Sequence, residues 1–91
     1  MLQTISIIVS GRVQGVFFRH SAKETAQRLN ITGEVKNLND GTVAIIATGT
    51  KEQLDQLIEW CKQGPPKANV AGIEIKNLSL QEFSNFNIVR F

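Results

Sequence analysis

The sequence predicts an α+β fold of the ferredoxin-like, split βαβ kind, a sandwich in which a mainly antiparallel sheet carries two helices on one face. Three observations predict it. Apolar alternation marks a strand at residues 3 to 9 and a hairpin around Asn39-Asp40-Gly41, and two capping boxes lead into stretches of helical spacing. The elements then follow the order β-α-β-β-α-β with an extra C-terminal strand.

In the first strand Ile5, Ile7 and Val9 share one face and Thr4, Ser6 and Ile8 the other, so an aliphatic face meets a core. Gly11 and Gly15 end that alternation. Ser21 and Glu24 form an S-x-x-E box around Ala22, Ala26 and Leu29, and Glu24 and Arg28 make an i,i+4 pair, which predicts a helix from about Ala22 to Asn30. A short strand follows around Val35, and Asp40-Gly41 turns the chain into the alternating Val43, Ile45, Ala47. Thr50 and Gln53 cap a second helix, along which Leu54, Leu57, Ile58 and Cys61 recur at i, i+3, i+4 and i+7. Gly64, as a left-handed cap, and Pro65-Pro66 stop it. Val70 to Ile75, with Ala71, Ile73 and Ile75 on one face, and Phe86 to Phe91 complete the sheet.

A chain of 91 residues fits one domain, residues 1–91, able to fold without covalent staples. The single Cys61 has no partner for an intrachain disulfide, a Cys-based metal site or Cys-x-x-Cys redox chemistry, which points to a reducing cytoplasm. No Lys or Arg precedes Arg12, and the apolar run from Ile5 to Val9 is too short for a signal or a spanning helix, so no targeting or membrane segment is expected. Ten basic against eight acidic residues give a net charge of +2, a mild preference for anionic ligands.

The segment best suited to chemistry is Gly11-Arg12-Val13-Gln14-Gly15-Val16-Phe17-Phe18-Arg19, between the first strand and the first helix. Backbone amides at a helix N-terminus, a glycine that lets the chain curl, and an arginine fork together make a phosphate cradle. Neither G-x-x-x-x-G-K-[ST] nor G-x-G-x-x-G fits, because Val16, Phe17 and Val13 stand where those patterns need glycine or lysine. A second reading is equally simple: the glycines turn a corner and Arg19 is a solvated charge. Asn37, at the end of the second strand, either caps the hairpin turn or positions a water beside the loop. His20 has no triad or metal partner at a usual spacing and reads as a surface residue. Trp60, Phe83, Phe86 and Phe91 read as core and sheet packing, and Asp55 and Glu59 as a solvated helix face.

Residues 11–19 resemble the first signature of the acylphosphatases, and Gly33 to Asn37, with Gly41, Val43 and Gly49, resemble the second. Gly64-Pro65-Pro66-Lys67-Ala68-Asn69-Val70 and Phe86-Asn87-Ile88 are similar to further stretches of that family, so the likeness spans essentially the whole chain. The resemblance implies a small cytoplasmic monomer that hydrolyses the carboxyl-phosphate bond of acyl phosphates without metal or organic cofactor. Its product, inorganic phosphate, should also inhibit. Carried onto this chain, it makes Arg19 the phosphate-binding group, the backbone of Gln14, Gly15, Val16, Phe17 and Phe18 the rest of the cradle, and Asn37 the residue that orients the attacking water. Glu34 departs from the pattern, since the family usually has an aromatic residue after that glycine.

Other classes share the element order. An RNA-recognition domain would carry aromatic residues in its third strand, whereas Thr42-Val43-Ala44-Ile45-Ile46-Ala47-Thr48 has none, so nucleic acid is not an expected partner. A small-molecule regulatory module is usually fused to an enzyme. Part of a larger carbamoyl-transfer system would be expected on a longer chain.

Overall fold

The computed structural model describes residues 1–90, so Phe91, at the end of the predicted last strand, lies outside the described residues. The elements are β1 (Gln3–Arg12), α1 (Phe18–Arg28), β2 (Thr32–Asn37), β3 (Val43–Gly49), α2 (Lys51–Gln63), β4 (Asn69–Leu78) and β5 (Phe86–Ile88). They form one sheet of order β4-β1-β3-β2-β5, with both helices on one face. β1 runs antiparallel to β3 and β4, and β2 antiparallel to β3. β5 pairs in parallel with β2, Val35 opposite Ile88. The split βαβ architecture is the predicted one.

The predicted aliphatic face carries the core. Ile5, Ile7, Val9, Val35, Val43 and Ile45 are buried against Phe18, Ala22 and Ala26 of α1 and Leu54, Leu57 and Cys61 of α2. β2 and β3 lie so close at Gly33 that a Cβ there would collide with the Ile46 carbonyl, and its φ of 145° also demands glycine. The second helix forms as predicted: Gln53 N donates to Thr50 Oγ1 at 3.2 Å, and Thr50 N donates to Gln53 Oε1 at 2.8 Å. Its outer face is solvated, with Asp55 and Glu59 each 2.8 Å from a lysine.

Several local features differ from those expected. α1 begins at Phe18, not near Ala22, and Ser21 lies inside its first turn, where its amide donates to the Phe17 carbonyl at 3.0 Å. Burial of Phe18, whose ring centroid lies 5.1 Å from that of Trp60, sets the start, and the Ser21 box is not used. Glu24 stands 3.9 Å from His20 instead of pairing with Arg28. The helix stops at Arg28 because Asn30 turns left-handed, with Ile31 N donating to Ala26 O and Asn30 N to Gln27 O in a Schellman closure.

At Gly64, φ is 70° but ψ is −173°, so the cap is extended and not left-handed helical, as the following Pro65 requires. In β4 the core-facing residues are Val70 and Ile73, while Ala71 is exposed. The pairing with β1 shifts register between Ser10 and Gly11, and this bulge breaks the two-residue parity that placed Ala71 inward.

After β4 the chain crosses to the opposite edge of the sheet, where β5 forms. A buried polar clasp fixes that crossing. Thr4 Oγ1 and Thr48 Oγ1 lie 2.7 Å apart, Thr48 Oγ1 donates to Gln81 O at 2.8 Å, and Gln81 N donates to Thr4 Oγ1 at 2.9 Å. The crossing delivers Phe86 into the core and places Ile88 beside Val35.

Candidate active site

The loop between β1 and α1 is held by its apolar side chains. Val13, Val16 and Phe18 are 1–4% exposed, so the intervening backbone is fixed from below by the core. Gly15 and Phe17 both have positive φ, 75° and 64°, with Val16 between them on the ordinary side. This alternation of hand turns successive amides toward one side and makes a concave nest of N–H groups. At Gly15 the backbone conformation alone calls for glycine, because a Cβ would meet nothing within 4 Å. Phe17 adopts left-handed helical geometry, φ 64° and ψ 25°, which costs a non-glycine residue about 1–2 kcal/mol.

α1 starts immediately afterwards. Ser21 is the first residue whose amide finds a helical carbonyl, so the N–H groups of Phe18, Arg19 and His20 have no intrahelical acceptor. Arg19 is half-exposed and, among the described residues, has neither a hydrogen-bond nor an ion-pair partner. It lines a cavity of about 300 Å³ with Gly15, Phe17, His20, Ile88 and Arg90. Among the described residues, that wall has cationic, apolar and backbone character and no carboxylate.

Asn37 ends β2 on the same parity as the buried Val35. Its Oδ1 is buried and has no protein partner. Such an acceptor costs about 1–3 kcal/mol unless a donor reaches it. The following turn is closed by Leu38 N to Thr42 O at 2.9 Å and Gly41 N to Leu38 O at 3.2 Å. It is capped by Asp40, not Asn37: the Thr42 hydroxyl and amide donate to Asp40 Oδ1 at 2.6 and 3.0 Å and hold that carboxyl below its ordinary pKa.

Gln14 joins the two halves. Its Nε2 donates to Leu38 O and to Thr42 O, each at 2.8 Å, stitching the loop to the turn that follows Asn37. The predicted residues therefore divide. Gly15, Phe17 and Arg19 share one cavity, Val16 and Phe18 anchor the loop in the core, and Asn37 does not line the cavity, although Gln14 ties the turn that follows Asn37 to the loop. Glu34 is half-buried, alternates to the face opposite Val35, and does not line the cavity. A larger cavity, about 580 Å³ against Leu2, Thr32, Thr48 and Phe83, contains none of the predicted site residues.

Sequence reasoning missed Ile88 and Arg90 as cavity residues, the proximity of His20, and the Gln14 side chain. Ile88 and Arg90 reach the site only through the long-range pairing of β5 with β2, for which the sequence carries no local signal. His20 follows Arg19 in the first helical turn, so the true helix start would have revealed it.

The sequence model of the acylphosphatase family matches residues 5–88, a span that includes both segments just described. The chain belongs to the acylphosphatase family. It is 41% identical to an acylphosphatase of Methylococcus capsulatus over 90 residues, covering 98% of each chain. Its fold superposes on an acylphosphatase of Bacillus subtilis with a TM-score of 0.94 at 40% identity, covering 99% of this chain and 100% of that one. An acylphosphatase from Coxiella burnetii gives the same TM-score at 39% identity, covering 97% of this chain and 93% of the other.

Proposed function

We propose that this chain hydrolyses the carboxyl-phosphate bond of acyl phosphates, with the loop amides and Arg19 holding the phosphoryl group and Asn37 orienting water. The observation that carries the assignment of roles is the buried Asn37 Oδ1, unpartnered among the described residues, at the start of a turn whose Leu38 and Thr42 carbonyls Gln14 ties to the loop before Arg19. The guanidinium of Arg19 grips two phosphoryl oxygens through parallel hydrogen bonds, and the amides of Gln14 to Phe18 and the start of α1 add donors and a favourable dipole. A water donates one O–H to Asn37 Oδ1, which points its lone pair at phosphorus, opposite the acyl oxygen.

The water oxygen bonds to phosphorus as the bond to the acyl oxygen breaks. The carboxylate leaves with that electron pair, and the water's second proton passes to a phosphoryl oxygen. Because the conjugate acid of the leaving carboxylate has a pKa of roughly 4, departure at neutral pH needs no general acid. Charge in the loose transition state is met by Arg19 and the amides, so the proposal requires neither metal nor organic cofactor. It extends to residues 1–91 as one catalytic domain, monomeric and cytoplasmic, with a small-molecule acyl phosphate as its partner and neither nucleic acid nor a membrane.

Phosphate release from acetyl phosphate, followed with and without a chelator, tests this reading. Hydrolysis that persists under chelation and is inhibited competitively by inorganic phosphate is the expected result. Activity abolished by the chelator and restored by Mg²⁺ overturns it.

A further inference from the structure

We propose that Phe17 and Ile88 form an acyl-binding subsite that selects acyl phosphates carrying an aromatic or bulky hydrocarbon group over those with a small one. The inference rests on reading the Arg19 cavity as the phosphoryl site, and deepens it. Phe17 is 75% exposed, although every other apolar side chain from Val13 to Phe18 is buried. Isolated exposed hydrophobic residues are ordinary on a protein surface, but this one also occupies a backbone conformation that glycine or asparagine adopts at lower cost. Folding therefore gains neither burial nor relaxed geometry from a phenylalanine here.

What the ring does reach is the cavity. It lines that space with Ile88, while Arg19 and Gly15 belong to the same wall. A ligand that satisfies both characters has an anionic end for Arg19 and the amides and an apolar end for Phe17 and Ile88. In an acyl phosphate the two ends are the phosphoryl group and the carbon chain, joined by one carboxyl. The cavity's volume of about 300 Å³ lies at the small end of ligand pockets, which suits a compact group such as a single ring.

The test compares kcat/KM for benzoyl phosphate and acetyl phosphate in the wild type, Phe17→Gly and Phe17→Asn. Both substitutions suit the positive φ, so denaturant midpoints at or above wild type are expected. Both substrates carry the same phosphoryl group, so their ratio cancels any change in the cradle. Loss of an offset ring contact should lower the benzoyl-to-acetyl ratio about three- to tenfold, and Phe17→Trp should hold or raise it. Hydrolysis of both substrates with an unchanged ratio in either folded variant overturns the subsite and leaves the proposed function standing. Hydrolysis of neither by the wild type overturns both.

Discussion

Gln14 is the point at which phosphate binding and water positioning can be uncoupled. Gln14→Leu keeps the side-chain volume and deletes two hydrogen bonds of 2.8 Å, to Leu38 O and Thr42 O. A net contribution of about 0.5–1.5 kcal/mol per bond sets an upper range of about 3 kcal/mol. The loss should fall in the lower part of that range. Both carbonyls keep their partners in the turn, Gly41 N at 3.2 Å and Leu38 N at 2.9 Å, so neither acceptor is left bare. We expect about 1–2 kcal/mol from the denaturant midpoint. Gln14→Glu should cost more, since a carboxylate cannot donate and repels both oxygens. Turnover is the more telling readout. With the turn no longer stitched to the loop, Asn37 shifts relative to the phosphoryl group, and a misplacement on the order of 1 Å corresponds to as much as a hundredfold in rate. Steady-state kinetics with acetyl phosphate, run well below the melting range, should show kcat falling at least tenfold, by roughly the arithmetic of a lost positioning contact, with a smaller change in phosphate inhibition. A kcat within about twofold of wild type in the folded variant refutes the coupling.

Arg19→Lys keeps the charge but loses the two-point grip, so on the order of a hundredfold loss of turnover with weaker phosphate inhibition is expected from the same kinetics. Cys61 is fully buried, and burial pushes its thiol from an ordinary 9.0 up to about 12. Its thiol stays protonated in the folded state after the unfolded chain has begun to ionise, so folding stability falls as pH rises from 9.0 toward about 12. Cys61→Ala should flatten that alkaline decline in denaturant midpoints, and alkylation of the wild-type thiol at pH 8 should proceed only at the rate of unfolding.

Elements governed by neighbours in sequence were legible. The α2 capping box, the Leu54-Leu57-Cys61 stripe and the Asp40-Gly41 hairpin are local patterns, and each appears where expected. α1 was placed late because Ser21 and Glu24 form a valid local signal that loses to the burial of Phe18 against Trp60, a contact 42 residues apart in the chain. In β4 the inward parity of Ile73 holds and that of Ala71 fails, because a bulge opposite Ser10 and Gly11 resets it, and Gly72 beside that bulge is a local signal for it. In the site, the curl at Gly15 and the position of Arg19 follow from the sequence. The left-handed Phe17, the stitch from Gln14 and the arrival of Ile88 and Arg90 do not, since each depends on where the core and the far sheet edge hold the chain.

The division of labour between Arg19 and Asn37 is tested most directly by Asn37→Ala, measuring turnover, phosphate inhibition and denaturant midpoint on one preparation. The substitution removes the buried Oδ1 and leaves Arg19 and the loop amides in place; Asp40, not Asn37, caps the turn. Turnover and kcat/KM should therefore fall together by roughly 3 kcal/mol, more than a hundredfold, while phosphate inhibits at close to its wild-type concentration and the midpoint barely moves. Near-normal turnover with a lowered midpoint would contradict the account and make Asn37 a structural residue of the hairpin.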